Sequence, residues 1–387
     1  MKLFDFFSSP KLILILGLAL CSEASMAQTP SRIPDEWLLA SIGQPWWYVT
    51  KPSDRPTVLT RRNPTINEQP LVQRAERLLA ASDAKALALV DGGEIVAMFF
   101  KPPAQADSTF HGFSMGKIVT SMAVGSAICE GHLKMDMQAD SLVPELRGKA
   151  LGRATLRDLL RMASGSAAVD ADGNLYTPQQ SADWSTGKLS LVEVVAEDRV
   201  SKASRGFFSE DKPGERFLYK NQDPLVAGLM LKRATGMTYA QWVQQKVFNP
   251  MGMAKSGLVI QDRRGEAAAD FSTRMNIDDW IRFALWIESS RSATNCFGDY
   301  VREATRPQIA NKGSRDSRPA GKLFGSYGYL IWTENEIAKD SYWLSGVGGQ
   351  RIGVSTRNGR MVVAFGNSEH WMVELYEFAR DWMAERR

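Results

Sequence analysis

Residues 114–131 read SMGKIVTSMAVGSAICEG, and they carry the strongest structural signal in the chain. The stretch is almost continuously apolar, contains no proline and ends at Gly131, so it predicts a buried helix over residues 114–130. Ser114 and Lys117 are three residues apart, which places both side chains on one face of that helix. The pattern therefore brings a primary amine within reach of a serine hydroxyl.

Ser114 and Lys117 are residue types that can act as a nucleophile and its base. A serine hydroxyl is a weak nucleophile until a neighbouring base takes its proton. Lys117 can act as that base only when it is at least partly neutral, and burial in an apolar helix favours the neutral amine. Ser-x-x-Lys also occurs by chance in most chains of this length, so the pair needs support from elsewhere in the sequence.

Two further segments contain the groups that such a pair would need. In Tyr219-Lys220-Asn221, the phenol can relay a proton to a leaving group, and Asn221 can donate a hydrogen bond to substrate or to Lys117. Residues 344–350 read LSGVGGQ and precede an apolar run. Glycine there permits a close backbone approach, so a main-chain N–H could form an oxyanion hole with that of Ser114. An ordinary glycine-rich turn is the alternative interpretation.

Strand-like patterns occur near both ends of the chain. Residues 86–90 and 94–100 are apolar, β-prone runs around Asp91-Gly92-Gly93, which predicts a hairpin. Three similar runs follow late in the chain, with Asn358-Gly359 as a turn between the last two: 327–332, 351–355 and 361–365. These runs predict an antiparallel sheet assembled from both chain ends.

Helical patterns occupy the middle and flank the strands. Apolar spacing predicts helices over residues 71–81 and 369–386. Capping boxes or related patterns announce others: Thr155 with Asp158, Thr238 with Gln241, and Asn276. The predicted fold is α/β (α+β), with flanking helices on the sheet and an inserted, mostly helical domain over roughly 132–310. The predicted domains are an N-terminal arm, 28–66, and one large domain, 67–387.

In this order and spacing, the three motifs resemble those of the serine β-lactamase and penicillin-binding protein family, particularly its class C-like branch. The resemblance covers roughly residues 70–385 and includes these further segments: EGHL 130–133, VPEL 143–146, TLRDLLRMASG 155–165, PGERF 213–217, NPMGM 249–253 and YGY 327–329.

The resemblance implies a role for each of the motif residues. It implies the β-lactamase/transpeptidase-like fold, with Ser114 as nucleophile and Lys117 and Tyr219 as general base and acid. It also implies that the N–H of Val347 completes the oxyanion hole. It further implies that Gly346 and Asn221 belong to the oxyanion hole or the substrate-binding site. No cofactor and no metal are expected.

The third motif points to a branch of this family. Residues 346–350, GVGGQ, are most similar to the esterase and 6-aminohexanoate-dimer (nylon oligomer) hydrolase members. β-Lactamases and peptidases usually have Lys-Thr-Gly there, whereas this chain has Leu344-Ser345-Gly346 and no basic residue before Arg351. The missing cation would bind a substrate carboxylate and help Tyr219 to ionise. Its absence argues against penicillins and leaves a second interpretation, an impaired member acting as a binding or regulatory protein.

Other site interpretations start from different residues. Residues 112–116 also fit the Gly-x-Ser-x-Gly pattern of α/β-hydrolases, with His370 as the late histidine, but residues 104–111 are too polar for the buried strand that this fold requires. His111 either positions substrate or is a loop residue. His132 is not at metal-ligand spacing with either of the other two histidines.

Composition excludes several function classes. The 387 residues are 44% hydrophobic and 23% charged, with a net charge of +4. The densest basic pairs, Arg61-Arg62 and Arg263-Arg264, are expected to be solvated surface, so no nucleic-acid partner is predicted. The expected partner is a small ester or amide, with specificity set by loops over 170–184 and 311–322.

The N-terminus has the pattern of an export signal. Lys2 and Lys11 precede the apolar run 12–21, and Ser25-Met26-Ala27 supplies small residues for cleavage. Residues 1–27 are therefore predicted to be a signal peptide, the protein to be periplasmic or secreted, and no membrane insertion to remain after cleavage. Lipoprotein anchoring at Cys21 is disfavoured, because Leu20 occupies a position where Gly or Ala is required. The remaining cysteines, Cys129 and Cys296, fit either one disulfide or two buried thiols.

Overall fold

The computed structural model describes residues 32–39, 43–166, 183–184, 186–196, 212–311 and 319–384. The predicted signal peptide, 1–27, and most of the two predicted specificity loops lie outside the described residues. Among the described residues, no helix has the length and hydrophobicity that a bilayer span requires.

The strands form two sheets. The described strands are β1 Tyr48–Val49, β2 Ala84–Asp91, β3 Glu94–Phe100, β4 Thr109–His111, β5 Leu258–Val259, β6 Thr273–Asn276, β7 Ile309–Ala310, β8 Phe324–Tyr327, β9 Trp332–Asn335, β10 Ser341–Gly346, β11 Gln350–Ser355 and β12 Met361–Gly366. The larger sheet has the strand order β3-β2-β12-β11-β10-β9-β8-β7. Its paired strands are antiparallel, and β2 next to β12 joins the two chain ends. The predicted antiparallel sheet from both ends is confirmed.

Helices flank the large sheet and fill the middle of the chain. The described α-helices are α1 Asp35–Leu38, α2 Gln69–Ala81, α3 Gly116–Cys129, α4 Ala139–Leu142, α5 Ala150–Arg153, α6 Leu156–Leu160, α7 Leu191–Ala196, α8 Gln222–Thr235, α9 Tyr239–Val243, α10 Ile277–Arg291, α11 Cys296–Ala304, α12 Pro319–Lys322 and α13 Met372–Ala384. The α13 helix begins at Met372, three residues later than the pattern predicted.

Different helices pack against the two faces of the large sheet. Helices α2 and α13 contact each other and lie against β2 and β12. On that side, the Trp343 ring meets the Tyr376 ring of α13 edge to face, with centroids 4.8 Å apart. On the other side, Phe365 stacks on Phe110 at 4.5 Å and lies 6.3 Å from Trp280 of α10. The sheet is thus buried between the terminal helices and the helical middle of the chain.

The predicted helix starts are present. The side chains of Thr155 and Thr238 accept hydrogen bonds from the third residue of their helices and complete capping boxes. Asn276 caps α10 through its Oδ1, which accepts from the Asp279 N–H at 2.7 Å. Side-chain caps are local and are therefore readable from sequence.

A small sheet of order β1-β5-β6-β4 was not predicted. Its strands are two to four residues long, which is too short for an alternating pattern to be recognised. Tyr48–Val49 brings the N-terminal arm onto β5, and β6 pairs with β4, directly before Ser114. The small sheet therefore anchors the segment that leads to the nucleophile candidate.

The strand prediction for residues 327–332 is wrong. Tyr327 ends β8 and Trp332 begins β9, and the residues between them form a turn in which the Gly328 N–H donates to the Ile331 carbonyl at 2.8 Å. A Cβ on Gly328 would lie 2.1 Å from the Ala304 carbonyl oxygen, so the turn passes tightly over the end of α11. An apolar run cannot distinguish a buried turn from a buried strand.

The α/β-hydrolase alternative is also wrong. That fold requires a mainly parallel sheet. The strand pairs of both sheets are antiparallel, and the strand that precedes Ser114 is only Thr109–His111. His370 is exposed in the turn before α13.

Cys129 and Cys296 form a disulfide, which decides between the two alternatives that the sequence left open. The bond joins the end of α3 to the beginning of α11, across 167 residues. It therefore ties the helix that follows Ser114 to a distant part of the chain.

Candidate active site

Ser114 lies in a 3-10 turn, Phe113–Met115, that leads directly into α3. The first turn of the predicted helix is therefore a 3-10 turn, and the α-helix begins at Gly116. Phe113 has φ +47°, in the left-handed region that residues with a side chain rarely adopt, and its ring stacks on His111 with centroids 4.0 Å apart. This strained turn presents the half-buried side chain of Ser114.

Lys117 is buried, with 1% of its surface exposed, and its Nζ contacts three oxygen atoms. Nζ lies 3.0 Å from Ser114 Oγ, as the motif spacing predicts. It also donates to Asn221 Oδ1 at 2.9 Å and to the Asp270 carbonyl oxygen at 3.2 Å. Asn221 therefore accepts a hydrogen bond from Lys117, whereas the sequence interpretation had it donating one.

Tyr219 lies beside Lys117 with its ring held by aromatic neighbours. The Lys117 Nζ is 5.2 Å from the centroid of the Tyr219 ring. The same ring stacks on Trp332 with centroids 5.4 Å apart and meets Tyr327 edge to face at 6.2 Å. The two strands on either side of the 328–331 turn thus fix the orientation of the phenol.

Lys220, between Tyr219 and Asn221, forms a buried ion pair. Its Nζ is 3.4 Å from Asp223 Oδ2, and both side chains are almost fully buried. Ser164 donates to Asp223 through Oγ at 2.7 Å and through its N–H at 3.2 Å. Burial raises the pKa of Asp223, while the charge of Lys220 opposes that rise. The pair joins the Tyr219 segment to the turn at Ser164.

The third motif lies at the end of β10 and the turn after it. A Cβ on Gly346 would lie 2.2 Å from the Gly112 carbonyl oxygen, so only glycine allows β10 to approach the segment before Ser114 this closely. Val347, next in the chain, is 38% exposed. Arg351 is fully buried, donates to Tyr376 of α13 and pairs with Glu369, which precedes that helix. The nearest basic residue after the motif is therefore used inside the protein.

The loop prediction for His111 is wrong, because this residue lies in strand β4 and is 2% exposed. Burial lowers the pKa of His111 well below its usual value, and the positive charge of Arg274 acts in the same direction. The ring is therefore neutral, and its Nε2–H donates to the Phe271 carbonyl oxygen at 2.8 Å. The histidine fixes the backbone next to the Lys117 site.

Residues 269–271 are the part of the site that the sequence did not reveal. Their three successive carbonyl oxygens accept from Thr120, Lys117 and His111, respectively. Every residue type supplies a carbonyl oxygen, so no pattern of side chains marks such a segment. It forms the back wall of the site.

The fold is that of the β-lactamase and transpeptidase class. The family model for beta-lactamases matches residues 72–382. The chain therefore belongs to the β-lactamase family.

Among curated relatives, 6-aminohexanoate-dimer hydrolase of Paenarthrobacter ureafaciens is 21% identical over 383 residues, covering 90% of this chain and 94% of the relative. Penicillin-binding protein 4* of Bacillus subtilis (strain 168) is 25% identical over 153 residues, which span 40% of this chain and only 31% of the relative. Monacolin J acid methylbutanoyltransferase of Aspergillus terreus is 24% identical, covering 51% of this chain and 50% of the relative.

Solved structures show the same fold at low sequence identity. A Bacillus anthracis protein named after 6-aminohexanoate-dimer hydrolase has a TM-score of 0.68 at 16% identity and covers 99% of this chain and 97% of its own. The D-amino acid amidase of Ochrobactrum anthropi SV3 has a TM-score of 0.60 at 14% identity, covering 82% of this chain and 98% of its own.

Proposed function

We propose that this protein is a serine hydrolase that cleaves an ester or amide through an acyl-enzyme on Ser114. The supporting observation is the set of three oxygens around Lys117 Nζ. Asn221 Oδ1 and the Asp270 carbonyl can only accept hydrogen bonds. A neutral Lys117 amine therefore uses its two N–H groups on them, and its lone pair is left for the Ser114 hydroxyl.

In the acylation step, Ser114 Oγ forms a bond to the substrate carbonyl carbon while its proton passes to Lys117 Nζ. The carbonyl π electrons move to the oxygen and give a tetrahedral oxyanion. When the oxyanion collapses, the bond to the alcohol or amine breaks, and Tyr219 delivers a proton to that leaving group, with Lys117 replacing the proton on the phenol. Water then attacks the ester on Ser114 with the same pair acting as base.

The oxyanion would be stabilised by main-chain N–H groups of Ser114 and Val347. The close approach of Gly346 to the Gly112 carbonyl supports this assignment, because it brings the end of β10 beside the turn that contains Ser114. Two fixed N–H donors directed at a developing negative charge are among the largest single contributions to acyl transfer.

The substrate class follows from the charges around the site. Residues 344–350 contain no basic side chain, and Arg351 pairs with Glu369. A site of this kind offers no cation from β10 to a substrate carboxylate. We therefore propose a substrate that is neutral next to the scissile bond, and β-lactams as poor substrates. The lovastatin esterase of Penicillium rubens, 26% identical over 175 residues, agrees with an ester substrate.

The location proposed for the mature protein is the periplasm or the extracellular space. The predicted signal peptide, 1–27, is one reason. The Cys129–Cys296 disulfide is an independent one, because such bonds persist mainly in oxidising compartments.

Hydrolysis of chromogenic substrates tests the proposal. We expect the mature protein to hydrolyse p-nitrophenyl esters or p-nitroanilides, with little turnover of a chromogenic cephalosporin. Ser114→Ala should reduce that rate by about 10³-fold or more. Ser121→Ala is the matched control, because Ser121 is buried on the same helix and bonds to Tyr300 at 3.0 Å instead of to Lys117.

Two results would contradict the hydrolase. Wild-type rates in Ser114→Ala would remove Ser114 as the nucleophile. Covalent labelling of Ser114 without turnover of any ester or amide would favour the binding or regulatory alternative.

A further inference from the structure

Asp270 is a buried acidic residue directly behind the Ser114–Lys117 pair. It lies in the loop between β5 and β6, and 1% of its surface is exposed. Its carbonyl oxygen accepts from Lys117 Nζ at 3.2 Å. The carbonyls of Ala269 and Phe271, on either side, accept from Thr120 and His111. The backbone of Asp270 is therefore fixed to the two elements that lead into and out of the nucleophile turn.

The side chain of Asp270 is not satisfied in the same way. Among the described residues, its Oδ1 is buried and has no hydrogen-bond partner. Lys117 from α3 and Tyr239 from α9 are the titratable groups whose charges interact with the carboxyl. Tyr239 is itself bonded to the Thr120 hydroxyl at 2.7 Å. The cation that acts on this carboxyl is thus the proposed general base.

The free-energy cost of burying a carboxylate indicates which group compensates the charge of Asp270. Burial raises the pKa of Asp270 to about 6, and the positive charge of Lys117 opposes a larger rise. The carboxyl therefore ionises most readily while Lys117 carries a proton. A buried carboxylate with one unbonded oxygen is costly unless an opposite charge compensates it. Protonated Lys117 provides that charge.

We propose that the Asp270 carboxylate is a positioning residue that balances the charge of Lys117 when it receives the Ser114 proton. This inference rests on the proposed function, in which the proton moves from Ser114 Oγ to Lys117 Nζ. Asp270 forms and breaks no bond in that step. Its negative charge stabilises the lysine ammonium in the transition state, and it also holds the proton more firmly on Lys117 in the free enzyme.

The two effects give Asp270→Asn a signature that a structural role would not produce. Without the carboxylate, the ammonium formed during acylation is less stable, so the plateau of kcat/KM should fall by about tenfold or more. Lys117 also gives up its proton more readily, so the acid limb of the kcat/KM profile should move to lower pH by about one unit. A loss of packing alone would lower the plateau without moving that limb.

Asp262→Asn is the matched control. Asp262 is fully buried in the same β5–β6 loop, but its Oδ1 accepts from the N–H groups of Arg264 and Glu266, both at 2.8 Å. An asparagine oxygen can keep those two bonds. This variant therefore removes a buried negative charge from the same loop, together with its 3.3 Å ion pair to Arg264, and leaves the three contacts of Lys117 in place.

The experiment measures kcat/KM for a p-nitrophenyl ester from pH 5 to 10 in wild type, both variants and Ser114→Ala, with thermal unfolding as the check of the fold. We expect the plateau and the acid limb to change in Asp270→Asn and neither to change in Asp262→Asn. Asp270→Ala repeats the measurement if the new amide unfolds the protein.

An unchanged acid limb in a folded Asp270 variant, with turnover that still requires Ser114, overturns the role of Asp270 alone. A shift of the same size in Asp262→Asn also overturns it, because the effect would then be one of distant charge. Wild-type turnover that persists in Ser114→Ala overturns the proposed function itself, so the two failures are distinguishable.

Discussion

Lys117 connects segments that are far apart in the sequence. Its three oxygen partners lie 3, 104 and 153 residues away, on Ser114, Asn221 and Asp270. A buried lysine without such partners would be strongly destabilising. The cost of burying Lys117 is therefore offset only when the β5–β6 loop, α3 and the start of α8 come together. The geometry of the site is thus a consequence of the fold.

Tyr219→Phe tests the proton relay at the level of one atom. We expect kcat to fall by about 10²-fold or more, because the leaving group loses its proton donor, while the ring keeps its stacking on Trp332. Steady-state kinetics on a p-nitroanilide measures the effect, because an aniline leaving group requires a proton to depart. Tyr300→Phe, which removes a buried hydroxyl bonded to Ser121, is the control and should keep nearly full activity. An unchanged kcat in Tyr219→Phe would exclude Tyr219 from the relay.

For single residues, the sequence predicts which side chains a motif brings together, but it does not predict contacts that are made by the backbone. Ser114 and Lys117 are on one helical face by spacing alone. The Asp270 contact depends on a carbonyl oxygen 153 residues away from Lys117, and nothing in the sequence marks that carbonyl. Asp270 became a candidate only when its burial and its position became visible.

At the scale of elements, α3 is held at both of its ends. Its first turn is fixed by Lys117, and its last residue, Cys129, is bonded to Cys296 at the start of α11. The two attachment points are twelve residues apart, or about 18 Å along a helix. The disulfide is therefore a means of stabilising the element, without contact with the reacting groups.

Replacing Cys129 and Cys296 together by serine should separate stability from activity. We expect the free energy of unfolding to fall by about 2–5 kcal/mol, because the unfolded chain regains the freedom of a 167-residue loop. Ester turnover at 25 °C should remain close to that of wild type. Urea unfolding and steady-state kinetics measure the two quantities. Equal stability with and without the bond would contradict this role.

Helices and turns are predictable from sequence when residues close in the chain determine them. The capping boxes at Thr155 and Thr238 are made by side chains within four residues, and both were predicted. The turn between β8 and β9 depends on Gly328 passing over the end of α11, which is a tertiary contact. The interpretation of residues 327–332 failed there because the run is apolar in either structure.

In the whole molecule, an ion cluster joins the N-terminal arm to β2 and β12, the adjacent strands that come from opposite ends of the chain. Arg62 bonds to Glu68 at 2.7 Å and to Asp91 at 2.7 Å. Arg360, from the turn before β12, bonds to the same two carboxylates at 2.8 Å and 3.3 Å. The expectation that Arg61-Arg62 is a solvated surface pair is therefore wrong for Arg62.

This cluster predicts an acid-dependent loss of stability. The hydrogen bonds from Arg62 lower the pKa of Glu68 from 4.5 to about 2. A lowered pKa in the folded state contributes stability that is complete above the unfolded value and is lost as pH falls from about 4.5 towards 2. The contribution is roughly 3 kcal/mol. Urea unfolding between pH 7 and pH 2.5 should show that decline in wild type and a flatter profile in Glu68→Gln. Parallel profiles for the two proteins would contradict the assignment.

The large sheet could be predicted from the sequence, whereas the small sheet could not. The β2–β3 hairpin and the late strands have patterns long enough to recognise. Strands such as Tyr48–Val49 exist only because the rest of the fold places them next to a partner, so they have no pattern of their own.

Intact-mass analysis after incubation with a fluorophosphonate probe shows whether Ser114 is the nucleophile that Lys117 activates. We predict a single covalent adduct on the mature wild-type protein, mapped to the peptide that contains Ser114, and no adduct on Ser114→Ala. A wild-type protein that remains unlabelled, or an adduct that persists in Ser114→Ala, would contradict the assignment of Ser114 as the nucleophile.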